Sequence, residues 1–233
     1  MMNNKWVRTA VAAAILAGSG TAMAEVSGNV TVVSDYVFDG ISQTDNGPAL
    51  QGGVDWASEF GLYAGFWGST VDYDSDSDVE TDWFVGFGFG GESVAFDVGV
   101  VFYKYLPTGD DIDYNEIYAG VTFAENTTLK YWHARDYIGV GESSGRFKIT
   151  HDIALNDDWS IGLEYTRGLY KDAVGEDYNH YRIGVATSIG IFDFDLSYHK
   201  TDADFSVWEL VDEDSVSKDG NLVLSIGTSF GGE

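Results

Sequence analysis

Apolar residues recur at every second position over most of the chain. In "TDWFVGFGF", Thr81, Trp83, Val85, Phe87 and Phe89 share one face, with Asp82, Gly86 and Gly88 on the other. The next segment sets Val94, Phe96, Val98, Val100 and Phe102 against Ala95, Asp97, Gly99 and Tyr103. Further on, Trp159, Ile161, Leu163 and Tyr165 oppose Ser160, Gly162, Glu164 and Thr166, and Phe192, Phe194, Leu196 and Tyr198 oppose Asp193, Asp195, Ser197 and His199. A period of two marks strands whose two faces meet different media, and helical spacing fits none of these segments.

The pattern predicts about 12 strands, near residues 26–37, 49–57, 62–70, 81–89, 93–104, 114–123, 128–136, 146–155, 159–169, 179–188, 191–200 and 221–230. Their connections alternate in kind. "SEFG", "GGES", "AENT", "NDD" and the region of Gly190 are tight turns, whereas Ser34 to Trp56, "VDYDSDSDVE", "PTGDDID", "IGVGESSG", "KDAVGEDYN" and "TDADFSVWELVDEDSVSKDG" are longer and mostly acidic. All long loops therefore fall at one end of an up-and-down meander. No Pro/Gly linker or composition break divides it, so one domain is expected.

An even-stranded meander can close and lose its unpaired edges. In a water-soluble barrel the apolar face fills the interior; in a membrane barrel it faces lipid, and the lumen takes the polar face. Small residues crowd the polar face beside Asp97, Glu116, Glu164 and Arg182, and Trp56, Trp83, Phe102, Trp159, Tyr165 and Tyr198 sit near the ends of apolar faces, as an interfacial girdle requires. The expected fold is all-β: a single up-and-down antiparallel transmembrane β-barrel.

Residues 1–24 fit a secretory signal peptide: Lys5 and Arg8, the apolar "AVAAAILAG", then Ala22-Met23-Ala24 as cleavage site. Cleavage near Ala24 leaves a barrel domain over 25–233, with a Gram-negative outer membrane as its expected location. It also leaves 10 basic against 38 acidic side chains, a formal charge of −28. That balance excludes nucleic acid as a partner, because phosphate contacts need basic patches. Outer-membrane lipid, lipopolysaccharide and small solutes or cations are the expected partners. The chain has no cysteine, so disulfides do not hold it.

"SDYVFDGISQTDNGPALQGGVDW" (Ser34 to Trp56), followed by "GLYAGFWGSTVDY", resembles the start of the TorF-type outer-membrane porins. The resemblance implies a signal peptide, this loop motif and a porin barrel over the mature chain. The family shows Arg where this chain has Asp39, which bears on any basic contact made by the first loop. A barrel of this class commonly ends in an aromatic residue, whereas Phe230 is followed here by Gly231-Gly232-Glu233.

A barrel of 12 strands has a backbone diameter of roughly 24 Å and leaves a lumen on the order of 10 Å. By parity the lumen receives Asp35, Asp55, Asp97, Glu116, Lys130, Lys148, Asp152, Glu164, Arg182, Asp195 and His199, with Asp39 at the pore mouth. Acids outnumber bases there, so a narrow cation-preferring channel is expected. The alternatives are a lumen plugged by cross-paired charges in a structural or surface-interaction barrel, and a rim-sited hydrolase, for which no nucleophile motif speaks. The chain offers no cofactor motif.

In the first hairpin, Val30, Val32 and Tyr36 are expected toward lipid, followed by an exposed loop bent at Asn46-Gly47-Pro48 and by Leu50, Val54 and Trp56 returning along the lipid face. "DYDSDSDVE" imitates the opening of an EF-hand, but Ser77 and Trp83 stand where that loop needs Gly and Glu. Asp72, Asp74, Asp76 and Asp78 remain as a loose divalent candidate, and a solvated loop tip is the simpler reading. His133, His151, His180 and His199 lack metal-ligand spacing.

Overall fold

A computed structural model describes residues 24–73, 77–107, 112–203 and 215–232. Residues 1–23 of the expected signal peptide, and Asp74 and Asp76 of the divalent candidate, lie outside the described residues.

Twelve strands close into one antiparallel barrel: β1 (Glu25–Val33), β4 (Ala49–Ala57), β5 (Leu62–Thr70), β6 (Val79–Gly90), β7 (Val94–Leu106), β8 (Tyr114–Phe123), β9 (Thr127–Ala134), β10 (Ser144–Ala154), β11 (Trp159–Leu169), β12 (Tyr178–Ile189), β13 (Phe192–Thr201) and β14 (Asn221–Gly231). Between β1 and β4 lies a separate small hairpin, β2 (Val37–Phe38) and β3 (Ile41–Ser42); one short helical turn, α1 (Lys171–Val174), follows β11. Each strand pairs with its sequence neighbour. Closure comes from β1, which pairs with β4 from Glu25↔Ala57 to Val33↔Ala49 and with β14 from Ser27↔Gly231 to Val33↔Ser225. No helix among the described residues is long and apolar enough to cross a membrane; a barrel crosses with its strands.

Alternation sorts the side chains as the period of two requires. Val54, Trp83, Phe87, Phe96, Val98, Leu163, Ile183 and Leu196 are exposed on the outer surface, and their strand neighbours turn inward. This places a continuous apolar surface outside and the polar face inside, the inverse of a water-soluble barrel. Glycine makes room for the large inward residues. Gly86 and Gly99 are register partners on β6 and β7, and a Cβ on either would run into Tyr118.

Most strand limits agree with the alternating pattern to within two residues, but β1 differs. It ends at Val33, where Ser34 bonds Leu224 through both its backbone N–H and its hydroxyl, and the chain then turns into the barrel. Tyr36 is therefore not on the lipid face. Its ring meets Trp67 edge-on, with centroids 5.4 Å apart, on the inner side of β5. The first loop is likewise not simply exposed: its first half, β2 and β3, is packed inside the lumen.

Candidate functional site

Local chemistry explains how the inner hairpin forms. Val37 pairs with Ser42 and Phe38 with Ile41, leaving Asp39 and Gly40 as a two-residue loop. Both have positive φ, 48° and 92°, as a type I′ hairpin turn requires. Asp35 pins the hairpin base. Its carboxylate accepts from Ser42 Oγ at 2.6 Å, from Thr44 Oγ1 at 3.2 Å and from Asn221 Nδ2 on β14. Burial raises the Asp35 pKa above its ordinary value, and these three donors act against that shift. On the other side, Gly40 C=O accepts from Ser217 N–H at 3.0 Å and Ile41 bridges Val216, so the end of the last long loop seals against the hairpin.

At the tip, the Asp39 side chain is 0% exposed and touches two cations of β10: Oδ1 lies 2.7 Å from Lys148 Nζ, and Oδ2 lies 3.4 Å from Arg146 Nε. The Arg146 guanidinium also reaches Glu116 Oε1 at 2.6 Å and donates to Tyr103 Oη at 3.1 Å; Tyr103 in turn donates to Glu116 Oε2 at 2.8 Å. The guanidinium lies 4.8 Å from the Phe38 ring and 4.6 Å from that of Trp132, so the hairpin also supplies a cation–π partner. Lys148 bridges onward to Glu164 at 2.9 Å. The hairpin tip is thereby the centre of a network joining β8, β10 and β11.

Beyond Glu164 the contacts continue along β12 and β13. His180 Nδ1 lies 3.5 Å from Glu164 Oε1, His180 Nε2 lies 3.1 Å from His199 Nδ1, and His199 Nε2 lies 3.1 Å from Ser197 Oγ. One tautomer set fits the two hydrogen bonds of the row: Ser197 donates to His199 and His199 to His180, whose Nδ1 faces Glu164 without a hydrogen-bond partner among the described residues. Asp39, Glu164 and His180 present ligand atoms within 4.8 Å of one another, a spacing compatible with a metal ion. Lys148 already places its ammonium against both carboxylates, so it supplies the positive charge there.

Two further pairs lie on the lumen wall. Lys130 Nζ meets Asp97 Oδ2 at 2.7 Å and sits 3.8 Å from the centre of the Tyr118 ring, while Tyr63 donates to Asp97 Oδ1 at 2.5 Å. Arg182 Nη2 meets Asp195 Oδ1 at 2.6 Å. Asp55 lies inside beside Gly65, and Asp152 shares the inward parity of Lys148 on β10. Thus Asp39, Glu116, Lys148 and Glu164 come together, with His199 reached through His180; Asp97 and Lys130 form one separate pair, and Arg182 and Asp195 another. Asp72 and Asp78 use their backbone N–H groups to bond Gln43 and Leu106.

Several members of the site were not anticipated. Arg146 stands two residues before Lys148 and shares its face, as His180 does with Arg182. Glu80 and Asp82 belong to β6, although Glu80 reads in sequence as the end of an acidic loop. Both are buried, and Glu80 Oε2 and Asp82 Oδ1 have no hydrogen-bond partner among the described residues. Glu80 Oε1 accepts from Tyr105 at 3.3 Å. Above the ionic layer, toward the long loops, runs a row of tyrosines: Tyr103 and Tyr114 stack at 4.4 Å, Tyr114 meets Tyr137 at 5.0 Å, Tyr137 meets Tyr170 at 5.1 Å, and Tyr170 stacks on Tyr178 at 5.6 Å.

A closed antiparallel barrel with an apolar exterior and an ionic interior is the fold of a transmembrane β-barrel. The chain belongs to a family described as "Bacterial protein of unknown function (Gcw_chp)", whose sequence pattern matches residues 17–230. The structure resembles the KdgM porin, with a TM-score of 0.58, 8% identity, and coverage of 89% of this chain and 99% of that one. It also resembles the NanC porin (TM-score 0.55, 10% identity, 89% and 99% coverage) and an outer-membrane channel from Pseudomonas putida F1 (TM-score 0.51, 9% identity, 89% and 96% coverage). At such identities the likeness concerns the fold. No curated protein matches the chain.

Proposed function

We propose that the protein is an outer-membrane channel of the TorF-type porin class, passing small solutes or ions with a preference for cations, and gated by the hairpin carrying Asp39. The observation that carries the cation preference is the inward pair Glu80 and Asp82. Both are buried on the lumen wall, and neither has a basic side chain within ion-pair distance among the described residues. Carboxylates left over after pairing give a narrow lumen a negative potential in proportion to their ionisation, which burial and their mutual repulsion oppose and rising pH promotes, and a negative potential favours cations. The porin-like fold and the signal-peptide pattern support the location.

Planar-bilayer recording of the refolded mature chain under a KCl gradient tests this proposal. The zero-current potential should take the sign of K⁺ permeation, and a potential of zero or of the opposite sign removes the cation preference. The ionic network around Asp39 favours a second reading, in which the barrel is a non-conducting structural element. Current steps absent from both the parent chain and hairpin variants would select that reading.

A further inference from the structure

The outer surface is not uniform. Across β10 to β13 an apolar groove of about 430 Å³ is cut into it, lined by Ile149, Leu163, Tyr165, Tyr181, Ile183 and Tyr198, with Lys200 at one end. Strand register explains its form. Ile149, Tyr165, Tyr181 and Lys200 are successive cross-strand partners and make one row; Leu163, Ile183 and Tyr198 make the row beneath it, toward the short turns.

The end toward the long loops is polar. Tyr165 points its hydroxyl that way and donates to Asn179 Oδ1 at 2.8 Å. Arg167, two residues beyond Tyr165 on the same face, is about one-third exposed and loosely held by Asp177 and by Asn179 Oδ1, each at 3.4 Å. The Lys200 ammonium has no ion pair or hydrogen bond among the described residues, and Asp202 is already committed to Asn179 at 2.6 Å. Two cations thus flank the head of an apolar groove, two strand spacings apart and offset by two residues along the strands, or roughly 12 Å between backbones, on a mature chain whose formal charge is −28.

We infer that this groove seats an acyl chain of a phosphorylated outer-leaflet lipid, with Lys200 and Arg167 holding the phosphate. The groove supplies apolar contact below, the tyrosines sit at the interface where their hydroxyls stay polar, and the cations meet the headgroup. The inference is independent of conductance. It concerns the outside of the barrel, and a non-conducting barrel would carry the same seat.

The test uses the mature chain refolded in neutral-detergent micelles, with native mass spectrometry reading retention of diphosphoryl lipid A or phosphatidylethanolamine. The parent chain should retain diphosphoryl lipid A preferentially. Lys200→Gln and Arg167→Gln should each weaken retention about fivefold, the effect of one cation near an anionic headgroup. Lys104→Gln is the control, because Lys104 is an outward cation outside the groove, paired with Asp113 at 2.7 Å. Heat-modified gel mobility confirms that each variant is folded. Equal retention of the two lipids, no change in the Lys200 and Arg167 variants, or an equal loss in Lys104→Gln would each overturn the proposal.

Discussion

Asp39 Oδ1 lies 2.7 Å from Lys148 Nζ, so a charge at the tip of an inserted hairpin is tied to the barrel wall. Both partners gain from the contact only while the hairpin stays in the lumen. Asp39→Asn keeps the side-chain volume and removes the charge, leaving Lys148 with Glu164, and Arg146 with Glu116. The hairpin should then leave the lumen more often. Bilayer recordings should show a higher open probability, and protease access to residues 37–42 should rise; traces identical to the parent would refute the latch.

Arg146 is the member of the network whose loss should cost most. It touches Asp39, Glu116 and Tyr103 together, and its own side chain is almost fully buried. Arg146→Gln would leave buried Glu116 with no cation at ion-pair distance among the described residues and Asp39 with Lys148 alone, and breaking a buried pair by removing one partner costs about 3–5 kcal/mol. Urea unfolding in micelles should show a loss of that order. Arg146→Lys should recover only part of it, because an ammonium lacks the planar fork that serves Asp39 and Glu116 simultaneously.

The strands were legible because lipid and lumen impose opposite polarity on alternate residues, and that rule acts within each strand. The inner hairpin was also written locally: Asp39-Gly40 between Phe38 and Ile41 has the composition of a type I′ turn. It was masked by the apolar alternation of Val30 and Val32, which continues in register to Tyr36 although β1 stops at Val33. Parity placed Lys148 and Glu164 on the inward face. Their meeting with Asp39 was not legible, since a contact across the lumen depends on barrel stagger and on which loop enters, and neither leaves a local trace. Arg146 was open to the same parity reasoning that found Lys148.

Glu80 and Asp82 make the selectivity testable without disturbing the network around Asp39. Neither pairs with Arg146 or Lys148 at ion-pair distance, so Glu80→Gln and Asp82→Asn remove negative potential and relieve buried charge together. The zero-current potential under a KCl gradient should move toward zero in each variant and further in the double variant, and thermal stability should be unchanged or higher. A potential that stays at the parent value would place selectivity elsewhere in the lumen.

The seal between the hairpin and the last long loop can be locked chemically. Ile41 and Val216 are antiparallel bridge partners, and the chain has no cysteine of its own, so Ile41→Cys with Val216→Cys introduces a single possible disulfide. Bridge partners in an antiparallel pair have Cα separations within the range a disulfide spans. Oxidation should hold the hairpin against the loop that includes Ser217 and suppress openings, and reduction should restore them in the same bilayer. The order of effects is diagnostic. If oxidation quiets the double variant but leaves conductance unchanged when Asp39→Asn is added, the tip ion pairs and the loop seal are separate restraints; if oxidation quiets both, the seal alone is sufficient to hold the lumen closed.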